Sequence, residues 1–212
     1  NGASVANRGA RLPPSLTRRG DVVACSVRGF DGVALGESVT NPGVTVQNSA
    51  PTSGRVNVIP TSPRVTTDLE CRITGFMDPD GDPLDYDVRW SVNEQVSEVT
   101  GRRLSGQFAK GDTVHCSVTS SDGELDGAVI QSERVSVQNS PPFMKSVELG
   151  PSTVRTSDDV SVVVEAEDSD GDPLQLAYSW TVDGIPVGGN TSTLAASFYR
   201  RDQYIQVGVL AN

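Results

Sequence analysis

One stretch of this chain is written twice. Residues 46–49 read Val-Gln-Asn-Ser, and the same four residues return at 137–140, 91 residues on. At that spacing Asp21 matches Asp112, Cys25 matches Cys116, and Asp31-Gly32 matches Asp122-Gly123. A second set recurs at a spacing of 90. Asp78-Pro79-Asp80-Gly81-Asp82-Pro83-Leu84 matches Asp168-Ser169-Asp170-Gly171-Asp172-Pro173-Leu174, and Trp90 matches Trp180. A period of this length is the mark of a repeated structural unit, and it limits the fold more than any composition could. It divides the chain into the C-terminal part of one copy (1–49), a complete copy (50–140) and a third copy lacking its last strand (141–212). The boundaries fall at Asn-Ser-Ala-Pro, 48–51, and Asn-Ser-Pro-Pro, 139–142. Proline cannot donate to a sheet ladder, so these are natural joints. Joints this short are expected to hold neighbours end to end with restricted motion.

Inside a copy the apolar residues alternate. Leu69, Cys71 and Ile73 share a parity, as do Tyr86, Val88, Trp90 and Val92, and then Val114, Cys116 and Val118. The third copy repeats this with Val160, Val162 and Val164, with Leu176, Tyr178, Trp180 and Val182, and with Ile205, Val207 and Val209. A period of two predicts half-buried strands. Strands of this kind, separated by Gly, Pro and Asp clusters, predict an all-β chain of antiparallel sandwich repeats of about 90 residues, arranged end to end as an elongated rod. No helical stripe competes with them.

The charge narrows the partners. With 17 Lys+Arg against 27 Asp+Glu the chain carries −10, a surface that repels phosphate backbones and attracts cations. Nucleic acid is therefore not an expected partner. No apolar run approaches the 18 residues of a membrane span, so no membrane insertion is expected of this segment. Asn1 is not a start methionine, so the sequence is expected to begin after a removed or missing segment.

Cys71, Trp90 and Cys116 fall on three different predicted strands. That order resembles the immunoglobulin-type sandwich, in which a disulfide bridges the two sheets and a tryptophan packs on it. The resemblance implies a Cys71–Cys116 disulfide, closing a loop of about 45 residues and contributing ~3–4 kcal/mol. In the third copy Val162 and Val207 stand at the matching positions, so both partners change together. Cys25 matches Cys116, and its own partner would lie in the front half of the first copy. Two departures separate the chain from antibody domains: a longer Cys71-to-Trp90 spacing, and Val114 in the place of the tyrosine corner. With its Asn-Ser-x-Pro joints and Asp-x-Asp-Gly-Asp-Pro-Leu turns, the chain is similar to the tandem Ig-like repeats of large bacterial surface proteins, and to polycystic-kidney-disease-type and cadherin-like repeats. That resemblance implies a β-sandwich fold and an extracellular or cell-surface setting.

The Asp-rich turns are the foremost candidate sites. Asp78, Asp80 and Asp82, and likewise Asp168, Asp170 and Asp172, alternate as hard-cation ligands do, and Ca²⁺ takes six to eight oxygens. The opening matches an EF-hand loop, but the twelfth position is Arg89 or Ser179, where a bidentate glutamate is required. Two readings stand side by side: a calcium site, or a strand-connecting turn in which Asp-Gly supplies positive φ. Asp31-Gly32 and Asp122-Gly123 read as hairpin turns. His115, the one histidine, neighbours Cys116 and is expected to face solvent. Asn190-Thr191-Ser192 is a glycosylation sequon at Asn190. Arg18-Arg19, Arg102-Arg103 and Arg200-Arg201 are each expected in the turn before a cysteine-type strand, solvated or touching an acidic neighbour.

No nucleophile–histidine–acid set and no phosphate-binding glycine loop is present, so the segment is not expected to be an enzyme. The expected function is structural: a repeat segment of an extracellular fibre, filament or surface stalk, associating with itself or with neighbouring repeats. The alternative is an adhesin that binds a glycan or protein through sandwich-end loops.

Overall fold

The computed structural model describes residues 11–212. Among them the only helical segments are two single 3-10 turns, Pro14–Leu16 and Ala196–Phe198; the rest is strand, turn and loop. The chain is all-β, and its named strand pairs are antiparallel. It divides into two compact units. One takes the chain up to Ile59 with Glu70–Leu104 and His115–Arg134; the other takes Pro60–Leu69, Ser105–Val114 and Val135–Asn212. The first unit holds the junction at 48–51, and the second holds the junction at 139–142.

In the first unit, β1 (Val22–Val23), β2 (Ser26–Phe30), β3 (Leu35–Thr40) and β4 (Val44–Thr45) form two short ribbons, β1 with β4 and β2 with β3. Next come β5 (Arg55–Ile59), β6 (Leu69–Thr74), β7 (Asp85–Val92), β8 (Gln95–Thr100) and β9 (Arg103–Leu104), then β10 (Thr113–Ser121), which begins in the second unit, and β11 (Ile130–Gln131). One sheet runs β5-β6-β9 and another runs β11-β10-β7-β8. The Cys71–Cys116 disulfide ties the middle strand of the first sheet to β10 of the second. Two antiparallel sheets stapled in this way match a β-sandwich. Val56, Val58, Val88, Trp90 and Val118 are buried around that bridge, on the alternating positions expected. Trp90 is fully buried, and its indole N–H donates to the Gly101 carbonyl at 2.9 Å.

In the second unit, β12 (Val135–Ser136) pairs with the start of β10. There follow β13 (Phe143–Gly150), β14 (Val160–Glu167), β15 (Leu176–Val182), β16 (Ile185–Val187), β17 (Thr193–Leu194) and β18 (Ile205–Ala211). They form two sheets, β13-β14-β17 and β16-β15-β18. Val160, Val162, Trp180, Val182, Leu194 and Tyr199 make one buried cluster, with Val207 packed against it. The Trp180 indole donates to the Thr191 carbonyl at 2.9 Å, the same bond as in the copy before. Valines therefore fill the position that cystine fills elsewhere. The hairpins β7–β8 and β15–β16 turn through Asn93-Glu94 and Asp183-Gly184, all at positive φ, as tight two-residue turns require.

Two expectations are corrected. His115 does not face solvent; it is 5% exposed. It lies beside Glu94, whose carboxylate is bonded to Arg134 at 2.7 Å and held below its ordinary pKa, first by that bond and in smaller part by the histidine. Strand β10 is thus covered on both faces, which parity alone does not reveal. Arg102-Arg103 does not sit in the turn before the cysteine strand. Arg103 opens β9, and the Arg102 guanidinium lies 5.4 Å over the Tyr86 ring. The pairs in that turn are Arg18-Arg19, Ala109-Lys110 and Arg200-Arg201.

Candidate functional site

The two Asp-rich turns fold alike. The Asp78 Oδ1 accepts the backbone N–H of Asp80 at 2.8 Å and of Asp82 at 3.2 Å. The Asp168 Oδ1 accepts those of Asp170 and Asp172 at 2.8 and 3.4 Å. The glycine N–H returns to the first aspartate's carbonyl at 3.2 Å in both. Gly81 and Gly171 stand at φ +84° and +78°, which L side chains rarely adopt. One carboxylate oxygen of the first aspartate of each triplet thus holds its own turn.

The second and third aspartates reach outward, to the junction serines and to basic residues more than 60 positions earlier in the chain. In the first unit the Ser49 N–H donates to Asp80 at 2.7 Å, and Arg19 pairs with Asp82 at 2.6 Å. Arg19 also pairs with Glu124, and the Asn48 amide donates to Asp122 at 2.9 Å. These bonds close a ring: the 18–21 turn, the Asp78 turn, the junction and the Asp122 turn each touch the next. The backbone N–H groups of Leu125 and Glu124 are the main cause holding the Asp122 pKa below its ordinary value, with Asn48 and Arg19 adding to it. In the second unit the N–H and hydroxyl of Ser140 both donate to Asp170, and the Lys110 ammonium bonds both oxygens of Asp172. The Asp172 bond is the main cause raising the Lys110 pKa, with the Asp172, Asp170 and Asp168 charges behind it. Arg64 and the Pro63 carbonyl bind the same junction at Asn139 and Gln138.

The cation comes from equivalent places in the two units. Arg19 and Lys110 are 91 residues apart, while Asp82 and Asp172 are 90 apart. Sequence reading singled out the aspartates and Arg19 separately. It missed the pairing, because partners 63 and 62 residues apart leave no local signal.

The residues also bear on the calcium reading. Among the described residues, Asp168, Asp170 and Asp172 are the group whose acidic oxygens gather within 4.8 Å of one another, and Lys110 occupies that cluster. The first unit differs. The Asn48 Oδ1 and Asp78 Oδ2, on two of the segments of that ring, are buried without a hydrogen-bond partner. Two orphaned acceptors beside Asp80 fit a hard cation.

Asn190 is exposed, and its Oδ1 accepts the Tyr178 N–H at 2.6 Å. Tyr199 was not anticipated. Its ring is buried, and its hydroxyl donates to the loop carbonyls of Arg155 and Asp158, holding the strand entry much as a tyrosine corner does.

No protein-family model matches the chain, and no curated protein matches it. Among solved structures, the chain is similar to the crystal structure of the FN1–FN3 domains of chicken CNTN1. The identity is 13% over 89% of this chain and 69% of that one, with a TM-score of 0.32.

Proposed function

We propose that this chain is a non-catalytic structural segment of an extracellular fibre or surface stalk, in which copies are locked end to end into an elongated rod. The observation that carries this is the recurrence of one interlock at both junctions: junction serine to the second aspartate, preceding-copy cation to the third. A flexible tether needs no such bonds, whereas a rod must resist bending at every joint. The Cys71–Cys116 disulfide supports an oxidising, extracellular compartment. Small-angle scattering on the full chain tests the reading. The intact protein should scatter as a stiff rod, and Asp80→Ala with Asp170→Ala should broaden the distance distribution. An unchanged profile in the double variant would sink the interlock as the source of stiffness.

A calcium ion at the first junction is a second reading, favoured by the two buried acceptors Asn48 Oδ1 and Asp78 Oδ2. With Asp80 they would hold the ion, which would neutralise the carboxylates and stiffen the junction further. Calorimetric titration with Ca²⁺, on the protein and on Asn48→Ala, decides it: heat of binding lost in the variant supports the ion, and no heat in either excludes it.

A further inference from the structure

Two sheets of this chain share one backbone pattern and carry opposite charge on their outer faces. Strand β13 pairs with β14 as β5 pairs with β6, residue for residue at a spacing of 91. Ser146 faces Glu165 as Arg55 faces Thr74, Glu148 faces Val163 as Asn57 faces Arg72, and Gly150 faces Ser161 as Ile59 faces Glu70. Between these lie the inward pairs: Val147 with Val164 as Val56 with Ile73, and Leu149 with Val162 as Val58 with Cys71. Residues directly across a ladder share a face, and neighbours along a strand alternate. Val56, Val58, Leu69 and Cys71 are buried, as are Val160 and Val162. The residues between them therefore point outward in both sheets.

The inward positions are apolar in both copies, as packing requires. The outward positions differ in sign. In the sheet β5-β6-β9, Arg55 and Arg72 are exposed, and Arg103 joins them because its neighbour Leu104 is fully buried. That face has three arginines against Glu70, a balance of +2. None of the three is in an ion pair among the described residues. In the sheet β13-β14-β17, the matching positions hold Ser146, Val163 and Thr193, and glutamates appear instead at Glu148 and Glu165. Glu167, across from Phe143, extends the row and pairs with Lys145. Three glutamates against one lysine leave −2. On the same acidic face Phe143 is 46% exposed and Val163 is 63% exposed. One exposed ion pair contributes little, but several charges around apolar area make a contact surface.

We propose that the outer face of β5-β6-β9 in one molecule binds the outer face of β13-β14-β17 in a second copy of this chain, so that molecules associate side by side. The charge complementarity names the occupant: the chain carries both members of the pair, on sheets of equal strand number and matching register. This lateral contact goes beyond the end-to-end interlock and uses none of its residues.

Sedimentation velocity on the full chain tests it, in a Cys25→Ser background so that the exposed thiol cannot crosslink. Association should grow with protein concentration at about 0.1 M salt and be lost by about 1 M, as the screening length falls from roughly 10 to 3 Å. Arg55→Glu with Arg72→Glu should weaken it about tenfold or more, and so should Glu148→Lys with Glu165→Lys. One chain carrying all four changes should recover it, because its charges are exchanged and not removed. That recovery also shows that the paired variants fail through charge and not through folding. The milder Arg55→Gln with Arg72→Gln should weaken association in the same direction, and stands in for a reversal that disturbs the fold. Absence of concentration-dependent association at low salt overturns the proposal. Association that salt and all these variants leave untouched overturns it too, since the contact then lies elsewhere. Binding of heparin without self-association, lost in the arginine variants, likewise overturns it, because the occupant is then a sulfated polysaccharide.

Discussion

Replacing Cys71 and Cys116 together by valine imitates a solution the chain already uses, since Val162 and Val207 hold those places in the third copy. The disulfide spans a sequence separation of 45. The chain-entropy relation for a loop of that length assigns it about 4 kcal/mol at 25 °C. The two valines bury additional apolar surface at a fully enclosed site, returning roughly 1–2 kcal/mol. The expected net loss is then about 2–3 kcal/mol, or roughly 10–20 °C in melting temperature for one copy of this size. Guanidinium unfolding followed by Trp90 fluorescence measures it, in a Trp180→Phe background so that one tryptophan reports. The alanine pair should lose a further ~2 kcal/mol or more, because it leaves cavities where the valines fill them. A loss below about 1 kcal/mol for the valine pair would refute the reasoning, since the bridge would then add nothing to packing. Equal losses for valine and alanine would refute the packing half of it.

Trp180→Ala should cost about 3–5 kcal/mol, because it empties the centre of the third copy's core and orphans the Thr191 carbonyl; denaturant unfolding measures this. Asp80→Ala should speed exchange of the Ser49 amide roughly tenfold by removing its charged acceptor, and hydrogen exchange reads that directly. Acid should loosen the first junction. The Asp122 pKa is lowered by folding, so its contribution is complete above the ordinary carboxylate value of about 4 and disappears as pH falls through the lower folded value. The Asn48 side-chain amide resonances, followed from pH 6 downward, should shift only in that acid range.

Much of the fold was legible because burial here follows parity. Leu69, Cys71, Val88, Trp90, Val114, Cys116 and Val118 all lie inside, as a period of two requires. The Asp-Gly turns were legible for a local reason too: a carboxylate that bonds the N–H two residues on needs no distant partner. What escaped depends on a second layer of contacts. His115 has the parity of an outward residue, yet it is buried near an ion pair formed by Glu94 and Arg134, 40 residues apart in sequence. The candidate site escaped in part for a similar reason. Its aspartates are conspicuous, but its cations lie 63 and 62 residues away in sequence, and nothing near Arg19 or Lys110 names their partners.

The same pairing raises a question that the two junctions answer differently. A cluster of carboxylates repels itself unless a cation sits in it. At the second junction the chain supplies that cation: the Lys110 ammonium bonds Asp172 and stands in the field of Asp168 and Asp170. At the first junction Arg19 is divided between Asp82 and Glu124, and Asn48 Oδ1 and Asp78 Oδ2 keep no donor. A resident ammonium and a divalent ion compete for the same oxygens, so the second junction should be indifferent to calcium and the first responsive. Lys110→Ala should remove that indifference. In the variant, Ca²⁺ should shift the amide resonances of Ser140 and Asp170, which in the unaltered chain stay still at concentrations that move Ser49 and Asp80. If Ser140 and Asp170 respond equally with Lys110 in place, the ammonium is merely a placeholder that calcium displaces. If they respond in neither protein, the carboxylates of that turn serve the junction serine and the lysine alone, and stiffness there owes nothing to metal.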